Sequence, residues 1–234
     1  MDKDNQEMKK GIIHWAIKGV LYKAYVAGVL MFAAGRLDWL AGWLYVVIFL
    51  AFDLATALVV IPISPDLLIE RSRSNEDAKS WDKIIMPLAA GIFPLVGWIL
   101  AGFNVRWGWT PAVGNGLRMA GLVGTVLGHG IVVWAMSTNA FFSLLVRIQK
   151  ERGHVVSAAG PYRFLRHPGY VGAILFSSAL PFLLGSWWAL IPGILSVILY
   201  VLRTWLEDQT LQEELEGYKE YASQVKFRLI PGVW

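Results

Sequence analysis

The chain has 234 residues, of which 56% are hydrophobic and only 16% charged, where an average soluble domain carries roughly 25% charged residues. With a mean hydropathy of +0.51, this excludes a water-soluble domain, a disordered chain and a nucleic-acid binder; the net charge of +4 says less than where the basic residues fall. The lack of cysteine excludes disulfides, thiolate metal sites and cysteine nucleophiles, and four scattered histidines without a metal-ligand spacing predict no metal centre.

The N-terminal "MDKDNQEMKKG" mixes acids with bases and offers no small-residue cleavage site, so the first apolar run is expected to stay in place. Six apolar segments follow, at 19–35, 39–62, 84–103, 117–138, 169–185 and 187–206. Each suits a hydrocarbon core about 30 Å thick, and lipid forces such segments to pair their backbone groups internally. The pattern predicts an all-α integral membrane protein: one domain over 1–234, a bundle of about six transmembrane helices, the last two a helical hairpin joined at "LLGSWW", then a cytoplasmic C-terminal helix. Residues 1–138 supply the N-terminal spans. All basic residues except Arg36, Arg106 and Arg118 fall on one side, including Lys9, Lys10, Arg71, Arg73, Arg147 and Lys226. The positive-inside rule then puts both termini in the cytoplasm, in the inner membrane if the source is prokaryotic. Trp187 and Trp188 are expected at the far interface.

Three residues and one stretch carry a structural expectation. Asp53 and His129, midway in the second and fourth spans, read as polar glue between helices, with Gly124 and Gly128 permitting close packing. Asn139 either lines an entrance or satisfies backbone at the interface. The stretch "PDLLIERSRSNEDAKSWDK" reads as a solvated connector.

The chemistry is concentrated in two places. "GHVVSAAGPYRFLRHPGYVG", starting at Gly153, packs two histidines, two arginines, two tyrosines and two X-Pro steps into a membrane-edge segment, where Pro161, Pro168 and the glycines prevent a continuous helix and let backbone groups face a ligand. A basic loop holding anionic lipid headgroups would share this composition. The second place is "RTWLEDQTLQEELEGYKEY". A solvated amphipathic helix explains its outer acids, but Glu207 and Asp208 adjoin the apolar run "VILYVLRTWL", where an unpartnered carboxylate costs several kcal/mol. The hairpin at 169–206 returns the chain to its starting side, so both segments meet at one level, suited to a ligand carrying a carboxylate and positive charge.

At these residues the sequence resembles the isoprenylcysteine carboxyl methyltransferases, integral membrane enzymes with the phospholipid N-methyltransferases as more distant kin. The resemblance covers about the last hundred residues: RHPxYxG, an acidic pair, LxxEL, GYxxY and a terminal IP. It implies a cofactor-binding region at 139–234 without a Rossmann domain; in keeping with this, no GxGxxG follows a strand-like run. The cofactor implied is S-adenosyl-L-methionine. By similarity His154, Val155 and Val156 lie against it, Gly160 and Tyr162 form a turn beside it, His167 and Tyr170 belong to the RHPxY element, and Gln149 matches a position loosely. Glu207 and Asp208 match an acidic pair that helps hold the cofactor, with Asp where many relatives have Glu. Arg166 and Arg203 match arginines near the acceptor carboxylate and the transferred methyl group, and are the catalytic candidates. The implied partners are the bilayer and an isoprenoid or lipid-like acceptor entering sideways. The tail "ASQVKFRLIPGVW" also resembles that of NADPH-dependent sterol-type reductases, though acids at 207 and 208 suit a cationic cofactor better than nucleotide phosphates. A transporter or scaffold is the non-enzymatic alternative.

Overall fold

An α-helix pairs all but its terminal backbone groups within one segment. The computed structural model, which describes residues 2–72 and 77–234, meets that demand along its apolar segments, with no strand among the described residues. Arg73, counted among the basic loop residues, lies outside them. The chain runs through α1 (Asp2–Ala34), α2 (Leu40–Val60), α3 (Pro65–Ser72), α4 (Asp82–Pro87), a π-helical turn (Leu88–Ile92), α5 (Phe93–Trp107), α6 (Asn115–Thr138), α7 (Pro168–Leu184), α8 (Leu190–Glu214) and α9 (Tyr218–Gln224). Among the described residues, five stretches are long and apolar enough to cross a bilayer: Met8–Ala34, Leu40–Val60, Asp82–Trp107, Asn115–Thr138 and Leu190–Glu214. The sixth apolar helix, α7, has 17 residues, about 26 Å of rise against a hydrocarbon core of about 30 Å. The all-α membrane bundle expected from the sequence is thus what the chain forms.

Prolines explain the one irregular span. Pro94 has no N–H for the carbonyl of Ala90, and the preceding turn widens so that the N–H of Phe93 bonds Leu88 C=O, five residues back. The result is a π-turn between Pro87 and Pro94, with Ala89 fully buried against Ala173 and Tyr200. Val26, Leu30, Tyr45, Trp98, Ala101 and Leu184 form the main core, while Phe32, Leu40, Leu54 and Leu58 point outward, as they should where the surrounding solvent is lipid.

The most extensive helix packing is that of α6 with α7, and glycine is the reason. A Cβ on Gly128 would lie 2.6 Å from Gly172 O, and one on Gly172 would lie 2.5 Å from Gly128 O. Backbone thus touches backbone, the small-residue packing that membrane helices use in place of a hydrophobic drive. Gly172→Ala is expected to destabilise the protein by about 1–3 kcal/mol through overpacking. Gly130→Ala, whose Cβ meets nothing within 4 Å, is the control. Equal melting temperatures in detergent would show that the seam does not matter.

The two residues expected as polar glue, Asp53 and His129, both find partners. Asp53 Oδ2 sits 2.5 Å from Lys23 Nζ, which lies 4.4 Å over the Phe49 ring. His129 Nδ1 is 2.8 Å from Thr125 O, and its ring packs on Phe52 and Phe176. Both bind α1, α2, α6 and α7 to one another. The connector between α2 and α4 overturns its expectation. Leu67 and Leu68 are fully buried, and so is Asp82, with Glu70 nearly so. Arg147 binds Glu70 at 2.7 Å, and Lys79 N–H donates to Val146 O at 2.9 Å. Glu70 and Asp82 are withdrawn from solvent because Arg147 of the 139–167 loop and Arg203 of α8 meet them inside the fold.

Candidate active site

The loop between α6 and α7 is built by its glycines and prolines. Gly160 has φ +54°, and a Cβ there would lie 2.6 Å from Thr138 Cγ2, so the turn into the short 3-10 segment Gly160–Arg163 requires glycine. Pro168 starts α7 at a position where a missing N–H costs nothing. Between them the N–H groups of Arg166 and His167 donate to Phe227 O and Arg228 O, at 2.9 and 3.0 Å. The C-terminal tail therefore braces the RHP turn from behind.

This loop, α8 and α9 enclose a cavity of about 810 Å³, its open mouth included. Its walls include Phe141, Phe142, Arg147, His154, Val155, Val156, Tyr162, Arg166, His167, Tyr170, Arg203, Glu207, Tyr218 and Tyr221. The His154 ring stacks on Phe141 with centroids 4.5 Å apart, and Gln149 N–H reaches His154 Nδ1 at 3.3 Å. Burial, with the charges of Arg152 and Arg147 adding to it, pushes the His154 imidazole down to about 4, so it is neutral at physiological pH. Burial likewise raises the phenol of Tyr162 well above its ordinary range, although Asn139 Nδ2 donates to it at 3.2 Å.

The charges around the cavity are nearly all matched. Arg203 is clamped by Asp82 through Nε to Oδ1 at 2.6 Å and Nη2 to Oδ2 at 2.7 Å. Arg147 is held by Glu70 and Glu151. Asp208, with no exposed surface, is shared: Arg228 Nε donates to Oδ2 at 2.8 Å, Tyr218 OH to Oδ1 at 3.0 Å and Gln212 Nε2 to Oδ2 at 2.8 Å, with His167 Nε2 3.2 Å from Oδ1. Arg166 Nε lies 3.3 Å from the same Oδ1 but off the hydrogen-bond axis, which leaves that buried N–H without a hydrogen bond. Two arginines on one carboxylate leave a surplus positive charge. Glu207 is the only carboxylate among the lining residues; Tyr170 OH donates to its Oε2. One spare cation and one spare anion thus face a single chamber.

Of the residues expected from the sequence, His154, Val155, Val156, Tyr162, Arg166, His167, Tyr170, Arg203 and Glu207 line this cavity together. Three do not. Gln149 is fully buried behind the wall, where its Nε2 donates to Phe141 O at 2.9 Å. Gly160 shapes the turn, and Asp208 ties the wall from inside. Among the residues that sequence reasoning passed over, Tyr218 and Tyr221 were visible as the GYxxY motif. Asp82 could have been found by the argument used for Glu207, since it too adjoins an apolar run.

No curated protein matches the chain. Residues 117–216, somewhat under half of it, match the family model described as phospholipid methyltransferase. From Leu117 to Glu216, a stretch that holds every candidate site residue, the chain carries the pattern of the membrane methyltransferase family that includes the isoprenylcysteine carboxyl methyltransferases, and the relationship suggested by the motifs stands.

Proposed function

We propose that the protein is a membrane methyltransferase that uses S-adenosyl-L-methionine to methylate a hydrophobic acceptor, the carboxylate of a prenylcysteine-like isoprenoid suiting the site best. The observation that carries this reading is the shared cavity of residues 154–170 and 203–221, walled by one spare carboxylate and one surplus arginine charge. A zwitterionic, sulfonium-bearing molecule fits that charge pattern. A nucleotide with several phosphates does not, because Arg203 and Arg147 are already neutralised.

S-adenosylmethionine, when bound, supplies an electrophilic methyl group and leaves as S-adenosylhomocysteine. The chain's own part is to bind, orient and exclude water. Glu207 accepts hydrogen bonds from the cofactor's ammonium or ribose hydroxyls, with Tyr170 fixing its other side. His154, Val155 and Val156 form an apolar, uncharged wall. Arg166 and Arg203 orient the acceptor carboxylate, which is ionised at neutral pH and requires no base. An amine or thiol acceptor would require one, from His167 or Tyr162; the raised pKa of Tyr162 makes it the poorer choice. The membrane divides the two reactants: cofactor from the cytoplasm, where this reading places the cavity and both termini, and acceptor from the bilayer.

Titration calorimetry of the purified protein in detergent is expected to show saturable binding of S-adenosylhomocysteine and none of NADPH. The opposite result would move the assignment to the sterol-type reductases.

A further inference from the structure

The Asp82–Arg203 pair joins the N-terminal half to the candidate site, and Asp82 lies outside the segment that matches the family. Both residues are buried, Asp82 completely and Arg203 at 5% exposure. The carboxylate takes Arg203 side-on through Nε and Nη2, and Nη2 also donates to Leu144 O at 2.7 Å. Asp82 Oδ2 further accepts the Val146 N–H at 2.7 Å. The guanidinium is thereby fixed in plane and position: Nε and Nη2 are committed to protein, and the Nη1 donors are left. Its Cζ lies 5.2 Å over the Tyr170 ring, the same tyrosine whose hydroxyl engages Glu207.

We propose that Asp82 is a positioning residue of the active site: it presents Arg203 Nη1 to the acceptor's oxygen and cancels the arginine's charge. This rests on the methyltransferase reading and adds to it the segment from Lys79 to Asp82. Arg203 then acts as an oriented hydrogen-bond donor within a neutral pair. Without Asp82 a second uncompensated arginine would stand with Arg166 beside the acceptor, and added attraction that is equal in the ground state and the transition state does not speed the step.

The test is a double-mutant cycle, with labelled methyl transfer from S-adenosylmethionine to N-acetyl-S-farnesylcysteine or to phosphatidylethanolamine vesicles, whichever the wild type methylates. Asp82→Asn and Arg203→Met are each expected to lower kcat/KM for the acceptor by about 100-fold, the scale of a small misplacement of a reacting group. The double variant is expected to be no worse than Arg203→Met alone, and S-adenosylhomocysteine affinity to hold in all three. Additive losses, or an Asp82→Asn protein that loses cofactor affinity in step with activity, would show a general structural role and overturn the proposal. If Asp82→Asn does not fold, Asp82→Leu with Arg203→Met replaces the pair by apolar groups and keeps the fold; activity below that of Arg203→Met alone then rejects the idea. A wild type that binds no S-adenosylhomocysteine rejects the methyltransferase reading itself. A wild type that binds it but methylates neither acceptor rejects the role given to Nη1.

Discussion

Glu207→Gln is expected to weaken S-adenosylhomocysteine binding by about 10- to 100-fold, the loss of a charge-assisted hydrogen bond worth about 1.5–3 kcal/mol. The substitution preserves shape and leaves the Tyr170 hydroxyl an acceptor, so the fold is expected to hold. It removes the only carboxylate lining the cavity among the described residues; Glu70, Asp82, Glu151 and Asp208 are each engaged by an arginine. Calorimetry of the wild type and variant, with melting curves as the folding control, decides the matter. Unchanged affinity in a folded variant would remove Glu207 from the site.

The largest effect on stability is expected from the neighbouring acid. Asp208 accepts from Arg228, Tyr218 and Gln212 and faces His167 and Arg166, all around a carboxylate with no exposed surface. In Asp208→Ala two arginine charges, one of them buried, lose their counter-ion, and removing one partner of a buried pair costs about 3–5 kcal/mol. Asp208→Asn keeps the shape and loses the charge, so most of the destabilisation is expected to persist. The measurement is thermal unfolding in detergent. A melting temperature within error of wild type would mean that water or detergent reaches the cluster and screens it.

These two acids, adjacent in sequence, show what could be read from the chain and what could not. Their placement beside an apolar run announced that both needed partners, and the helical hairpin announced that they would return to the level of the RHPxY segment. Which of the two would face the cavity depends on about 100° of rotation between successive helix residues. That rotation was not legible, because α8 turns its buried side toward several elements at once. The spans were legible because lipid leaves them one conformation. The role of Asp82 was not, because its partner lies 121 positions away and long-range ion pairs leave no local pattern. Arg203 stood out as a candidate from the sequence, but not its neutralised, side-on geometry.

The helix α8 runs without interruption from Leu190 to Glu214, so Arg203 and Glu207 ride on the same rigid shaft that crosses the apolar layer. No joint separates the part held by the bilayer from the part that faces the ligand. The facing wall is fastened to that same shaft, since Arg203 donates to Leu144 O and its partner Asp82 accepts from Val146 N–H, so both sides of the chamber share one anchor.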